Sequence, residues 1–148
     1  MKINFNGEES IRAPLSDVVA FLSDPGKVTA CIPDSSDFSL ESSSDFSIKV
    51  TVGVGSIHGV FAIKGSISKN SDGSFTYMLN GAGFGNKVSI KLTASPSEYD
   101  GFTKMPWRAD FDLSGIISGL GEGIIRKVSS EKIAIIIKNV KEALEKAK

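Results

Sequence analysis

The chain has 148 residues, 41% of them hydrophobic and 23% charged, without a long polar tract, which supplies the core of one compact domain over residues 1–148. Seventeen Lys and Arg offset seventeen Asp and Glu. No basic cluster interleaves with aromatics, which argues against a nucleic-acid surface and removes a steering field for acidic substrates.

At the amino end, Met1 to Glu9 lacks the apolar stretch of a targeting segment. Ile3, Phe5 and Ile11 alternate with polar neighbours, as in a half-exposed strand. Pro14 then suits the first turn of a helix, Ser16 and Asp17 favour its positive end, and Val18, Val19, Phe21 and Leu22 give it a buried face. Asp24-Pro25-Gly26 stops it. A second short turn is predicted from Lys27 to Cys31, closed by Pro33 before the polar Asp34 to Asp37 loop. The one cysteine, Cys31, cannot form an internal disulfide, and the one histidine, His58, leaves no Cys/His metal cluster; no metal or cofactor is expected.

Residues 38–113 read as five or six strands joined by turn residues, in meander order. Phe46, Ile48, Val50, Val52 and Val54 share one phase; so do Ile57, Phe61, Ile63 and Ile67 after a turn at Gly55-Ser56. Asn70 to Gly73 makes the next hairpin. Phe75, Tyr77 and Leu79 lead to the glycine-rich Gly81 to Gly85, and Asn86, Val88, Ile90, Leu92 and Ala94 follow. The last strand changes phase near Lys104 and then presents Met105, Trp107, Ala109, Phe111 and Leu113 together.

The run from Ser114 to Lys148 contains no proline and is long enough for one helix of roughly 45 Å capped by Ser114. Ile116, Ile117, Leu120, Ile124 and Val128 form a first apolar stripe; Ile133, Ile136, Ile137, Val140 and Leu144 form a second, on another side of the helix. The switch falls at Ser129-Ser130-Glu131, where the helix either restarts or continues with different faces buried. Gly119, Gly121 and Gly123 weaken the first half by about 1 kcal/mol each relative to alanine. The aliphatic run Ile133 to Ile137 is too short to span a bilayer, and a soluble, cytoplasmic protein is expected.

Eight of the fifteen glycines lie between Gly53 and Gly85, without the spacing or following helix of a phosphate loop. Gly59, Gly65 and Gly81 occupy the apolar phase. They either let the strands curve or leave volume unfilled under the helix. His58, Asp110 and Asp112 fall on the outward phase, as solvated side chains. Tyr77, Asn86 and Trp107 are the hydrogen-bonding groups read on the inward phase, where they pair either with backbone or with a ligand oxygen. Facing the helix, the candidate cavity lining is Val50, Val52, Gly59, Phe61, Ile63, Tyr77, Leu79, Asn86, Val88, Ile90, Trp107, Phe111, Leu120 and Ile124. No catalytic residue is assigned.

Asp17 to Pro25 followed by Cys31-Ile32-Pro33, the stretch Gly55 to Phe61, and Leu113 to Gly121, in that order, resemble the carbon monoxide dehydrogenase CoxG family of the START-like, helix-grip (SRPBCC) superfamily. The resemblance covers nearly the whole chain and implies an α+β fold: a curved antiparallel sheet of about six to seven strands wrapped round a long C-terminal helix, with short helices after the first strand and a cavity for apolar ligands. It also implies a place beside molybdenum hydroxylases of the carbon monoxide dehydrogenase type, as a quinone-handling partner or membrane recruiter. Asp34 departs from the pattern, standing where the family commonly has glycine, which puts the turn there in question. Many family members carry a hydrophobic anchor beyond the domain, whereas this sequence stops at Lys148, so recruitment to the inner membrane face is expected to be peripheral at most. The expected function is non-catalytic binding of a quinone or lipid. The rivals are an assembly or docking factor, monomeric or homodimeric, and a cyclase- or hydrolase-like enzyme of the superfamily, which would need an acid or base facing the cavity.

Overall fold

The computed structural model describes residues 1–146. In chain order, β1 (Lys2–Ile11) is followed by α1 (Leu15–Leu22) and α2 (Pro25–Thr29), then β2 (Ser35–Leu40), β3 (Asp45–Val54), β4 (Ile57–Lys69), β5 (Phe75–Gly83), β6 (Asn86–Ala94), β7 (Ser97–Tyr99) and β8 (Phe102–Gly115). A 3₁₀ turn over Ile116–Leu120 leads into α3 (Glu122–Lys146). The strands form one antiparallel sheet in the order β1-β8-β6-β5-β4-β3-β2, with β7 paired to β8. Counting the short β7, there are eight strands.

Alternation decides which side is buried. Phe46, Ile48, Val50, Phe61, Ile63, Ile67, Phe75, Tyr77 and Leu79 are all buried on one face, while Lys49, Lys64, Met78 and Asn80 lie exposed on the other. Along β8 the inward series begins at Thr103, whose hydroxyl donates to the Ala13 carbonyl at 2.9 Å. The expected phase change near Lys104 is therefore absent. Pro14 does precede the first turn of α1, and Asp24 caps α2 by accepting from the amides of Gly26 (2.9 Å) and Lys27 (3.3 Å). Asp34 takes up φ +60°, a conformation open to glycine and tolerated by aspartate, so the turn is kept without the glycine.

The terminal helix starts later than its sequence suggests. Ser114 and Gly115 find ladder partners in Lys87 and Asn86 and so extend β8. Gly115 and Gly121 then adopt φ +113° and +93°, which ends the strand and separates the 3₁₀ turn from α3. Asn86 fixes that turn: its side-chain oxygen accepts from the Ile117 amide at 2.7 Å, and its amide group donates to Phe84 O at 3.0 Å. Ser114 is thus a strand residue and caps nothing. From Glu122 onward α3 runs unbroken through Ser129 and Ser130, about 37 Å long.

Two sets of contacts hold α3 across the open side of the curved sheet. Along β1, Arg126 donates to Asn4 O (3.4 Å), Lys141 approaches Glu9 (3.8 Å) and Glu145 accepts from the Arg12 amide (3.0 Å). On the flank leading into β2, Lys132 lies 3.7 Å from Asp34 and Asn139 donates to Cys31 O at 2.9 Å. The helix therefore runs alongside β1 and is tied to both ends of the strand order. Val140 and Leu144 are buried within the chain, and Ile133 and Ile137 are half-buried.

Candidate functional site

The inner face of the sheet has two unlike halves. On β3, β4 and β5 its side chains are buried. On β1, β8 and β6, register brings Trp107 beside Gly7, Phe5 and Leu92 on either side of Ala109, and Phe111 beside Ile90, with Val88 opposite Leu113. Phe5, Trp107, Phe111, Ile90, Leu92 and Val88 are all only half-buried, although they point to the same side as the core. They form one continuous apolar floor beside α3, on which Phe5 and Phe111 meet edge to face at 5.9 Å. Ile136 of α3 and Leu120 of the 3₁₀ turn pack against the same apolar body.

Of the residues assigned from sequence, Val88, Ile90, Trp107 and Phe111 come together on this floor. Val50, Phe61, Ile63 and Leu79 belong to the packed half, and Val52 lies half-buried toward the end of β3. Gly59 leaves no space for a ligand, because a Cβ there would overlap the ring of Phe84, which stacks 5.0 Å from Phe61. Gly65 is filled likewise by Phe46 and Leu79, and Gly81 by Val88 and Ile63. Ile124 is 50% exposed in the first turn of α3; its neighbour Ile125 is the buried one.

The inward polar groups are satisfied inside the protein. Tyr77 donates to the Leu22 carbonyl at 2.7 Å, and burial pushes its phenol pKa up. Asn86 holds the 3₁₀ turn, and the Trp107 indole N–H points to Glu9 Oε2 at 3.4 Å. None of the three waits for a ligand oxygen. Cys31 is buried, which raises its thiol pKa, and its sulfur lies 3.5 Å from Lys27 O. Outside, Asp110 is held below the usual carboxylate range by its hydrogen bonds from Arg108, and Asp112 lies 3.8 Å from the amino terminus. His58 is exposed. Among the described residues no cluster of three or more His, Cys, Asp or Glu converges on a metal site.

Phe5, Leu92, Glu9 and Lys141 were not singled out from sequence, yet all four border the floor. Glu9 shares the phase of Ile3, Phe5 and Ile11, a signal present in the alternation. Two open depressions lie elsewhere, about 330 Å³ over Lys2, Asn4, Met78 and Lys91 and about 500 Å³ beside Gly83, Phe84 and Gly85. The first occupies the outward face and the second the β5–β6 turn. The apolar floor inside the sheet fits an apolar molecule better than either.

A curved antiparallel sheet closed by a C-terminal helix is the fold of START-superfamily proteins. The chain superposes on a conserved protein from Geobacillus kaustophilus with a TM-score of 0.87 at 16% identity, over 98% of this chain and 97% of that one. A START superfamily protein from Mycobacterium smegmatis matches with a TM-score of 0.69 at 13% identity, over 99% of both chains. A STAR-related lipid transfer protein fragment from Xanthomonas axonopodis matches with a TM-score of 0.63 at 15% identity, over 95% of this chain and 85% of that one. At the level of sequence, the model of the carbon monoxide dehydrogenase CoxG family matches residues 7–145, and the chain belongs to that family. Comparison with curated protein sequences gives no significant match. Among the described residues no helix is long and apolar enough to cross a membrane.

Proposed function

We propose that this protein is a non-catalytic carrier of an apolar small molecule, a quinone or a lipid, serving a molybdenum hydroxylase of the carbon monoxide dehydrogenase type in the cytoplasm, peripheral to the inner membrane face. The observation that carries this reading is the half-buried floor of Phe5, Trp107, Phe111, Ile90, Leu92 and Val88 beside a helix anchored along β1. Side chains that point inward yet keep contact with solvent are what a ligand would cover, and covering each would contribute up to about 1.5–3 kcal/mol. Membership of the CoxG family supports the enzyme partner. No catalytic role is assigned to Glu9, because Lys141 and Trp107 already engage its carboxylate.

The test is mass spectrometry of an organic extract of purified protein, with titration of Trp107 fluorescence. A bound quinone should quench the indole saturably by stacking, whereas a long-chain lipid should shift its emission. An extract free of apolar molecules, with Trp107 emission indifferent to both ligands, removes the carrier reading.

The second reading is a docking factor, favoured by Ile116, Ile124 and Ile135, which are 63%, 50% and 44% exposed. The stripe first expected to dock is covered at Val140 and Leu144 within the chain itself. Copurification with a hydroxylase subunit, lost on Ile124→Asp while ligand content is unchanged, would select it.

A further inference from the structure

We propose that Lys141, positioned by Glu9, fixes the head of the carried molecule by donating a hydrogen bond to a carbonyl or similar acceptor oxygen beside the Trp107 indole. This rests on the carrier reading and names the ligand chemistry of the same site.

On the inward-facing positions of β1, β8, β6, β5, β4 and β3, Glu9 is the one acidic side chain. A carboxylate among apolar residues is costly to desolvate unless it is paired. Lys141 supplies the partner, at 3.8 Å from Oε1, with the two side chains 32% and 23% exposed. That separation attracts, but it is too long for a direct hydrogen bond. Among the described residues the Lys141 ammonium has no hydrogen-bond acceptor, so its donors remain for something else.

Its surroundings are arranged on one side by Trp107, whose indole N–H points to the other oxygen of Glu9. The indole lies against β1 at Gly7, where a Cβ would stand 2.8 Å from the ring. Gly7, Glu9 and Lys141 thus set a flat aromatic surface and a half-buried cation at one end of the apolar floor. A hydrocarbon would leave that cation unanswered. An apolar molecule ending in a ring carbonyl or an ester would satisfy it and keep its remainder on Leu92, Ile90 and Phe111. The shared chemistry is an acceptor oxygen on an apolar body, available from a quinone or from a lipid ester.

Affinities of menadione, methyl laurate and methylnaphthalene for the purified protein, measured by calorimetry, separate the possibilities. Lys141→Met keeps the aliphatic stem and should weaken an oxygen-bearing probe about tenfold, while methylnaphthalene stays within about twofold. Lys141→Arg should restore most of the loss. Glu9→Gln leaves the cation but loosens it, and should weaken the same probe by a smaller factor; it also serves if Lys141→Met fails to fold. A loss confined to menadione assigns a ring carbonyl, and one confined to methyl laurate assigns an ester; either supports the proposal. Equal loss for all three probes, or no change for any, overturns it with the carrier reading intact. If none of the probes binds the unaltered protein, the carrier reading itself fails and this inference with it.

Discussion

The two halves of the inner face are written in the same sequence code and do different things. On β3, β4 and β5, Phe46, Phe61, Leu79 and Phe75 are closed over by one another and by α1. On β1, β8 and β6, Phe5, Phe111, Ile90 and Leu92 keep the same phase and remain half-open. Alternation therefore tells which way a side chain points, and what covers it depends on elements distant in sequence. The glycines sharpen the lesson. Gly59, Gly65 and Gly81 mark the tightly filled half, because a neighbouring ring or aliphatic group takes each vacated place.

The largest expected difference compares one residue type across the halves. Phe75 is wholly buried, and Phe75→Ala should cost about 3–5 kcal/mol. Phe111→Ala, in the open half, should cost about half as much, since water already reaches part of the ring. Urea denaturation of both variants checks this, and equal losses would erase the distinction.

Next comes Gly65→Val. A Cβ at Gly65 would overlap the Phe46 ring and lie 2.6 Å from Leu79 Cδ2. Overpacking of that kind costs about 1–3 kcal/mol. Ligand affinity per folded molecule should be unchanged. A stable Gly65→Val variant with lost ligand affinity would restore the reading of these glycines as ligand space.

Tyr77 provides a pH test of the packed half. Its folded-state pKa is raised by burial above the ordinary 10.0, so the unfolded chain ionises first. The contribution is whole below that value and is lost as pH rises above it, at up to about 1.4 kcal/mol per pH unit. Tyr77→Phe should remove this alkaline slope. At neutral pH the same change should cost about 1–2 kcal/mol, because the Leu22 carbonyl loses its donor. Matching alkaline slopes for the two proteins would mean that Tyr77 is not closed off from water.

Much of this was legible in the sequence. Turns at Gly55-Ser56 and Asn70 to Gly73, the inward series of β3 to β6, and the outward place of His58 and Asp112 all follow from local chemistry, and local chemistry decides them. The start of α3 was not legible. Ser114 has the composition of a cap, but its partner Lys87 lies 27 positions earlier, and the ladder prevails. The ring that fills Gly59 comes from Phe84, in another hairpin, which no spacing within β4 could announce. Glu9 was legible by phase but not by role, since its meaning depends on Lys141 at the other end of the chain.

The smallest expected effect probes the open half from the opposite direction. Leu92 sits on β6 between Tyr77 and Ala109, half-buried on the floor. Leu92→Phe adds volume, as Gly65→Val does, but at a place not yet closed off. If the floor borders free space, the ring should fit by turning toward it, and stability should change by less than about 1 kcal/mol. The added ring then occupies ligand volume, so affinity for a bulky apolar probe should fall while the fold persists. Thermal denaturation and calorimetric titration of the one variant read both quantities. A loss of stability as large as that of Gly65→Val would show that β6 is packed as tightly as β4, and the floor would then be core rather than site.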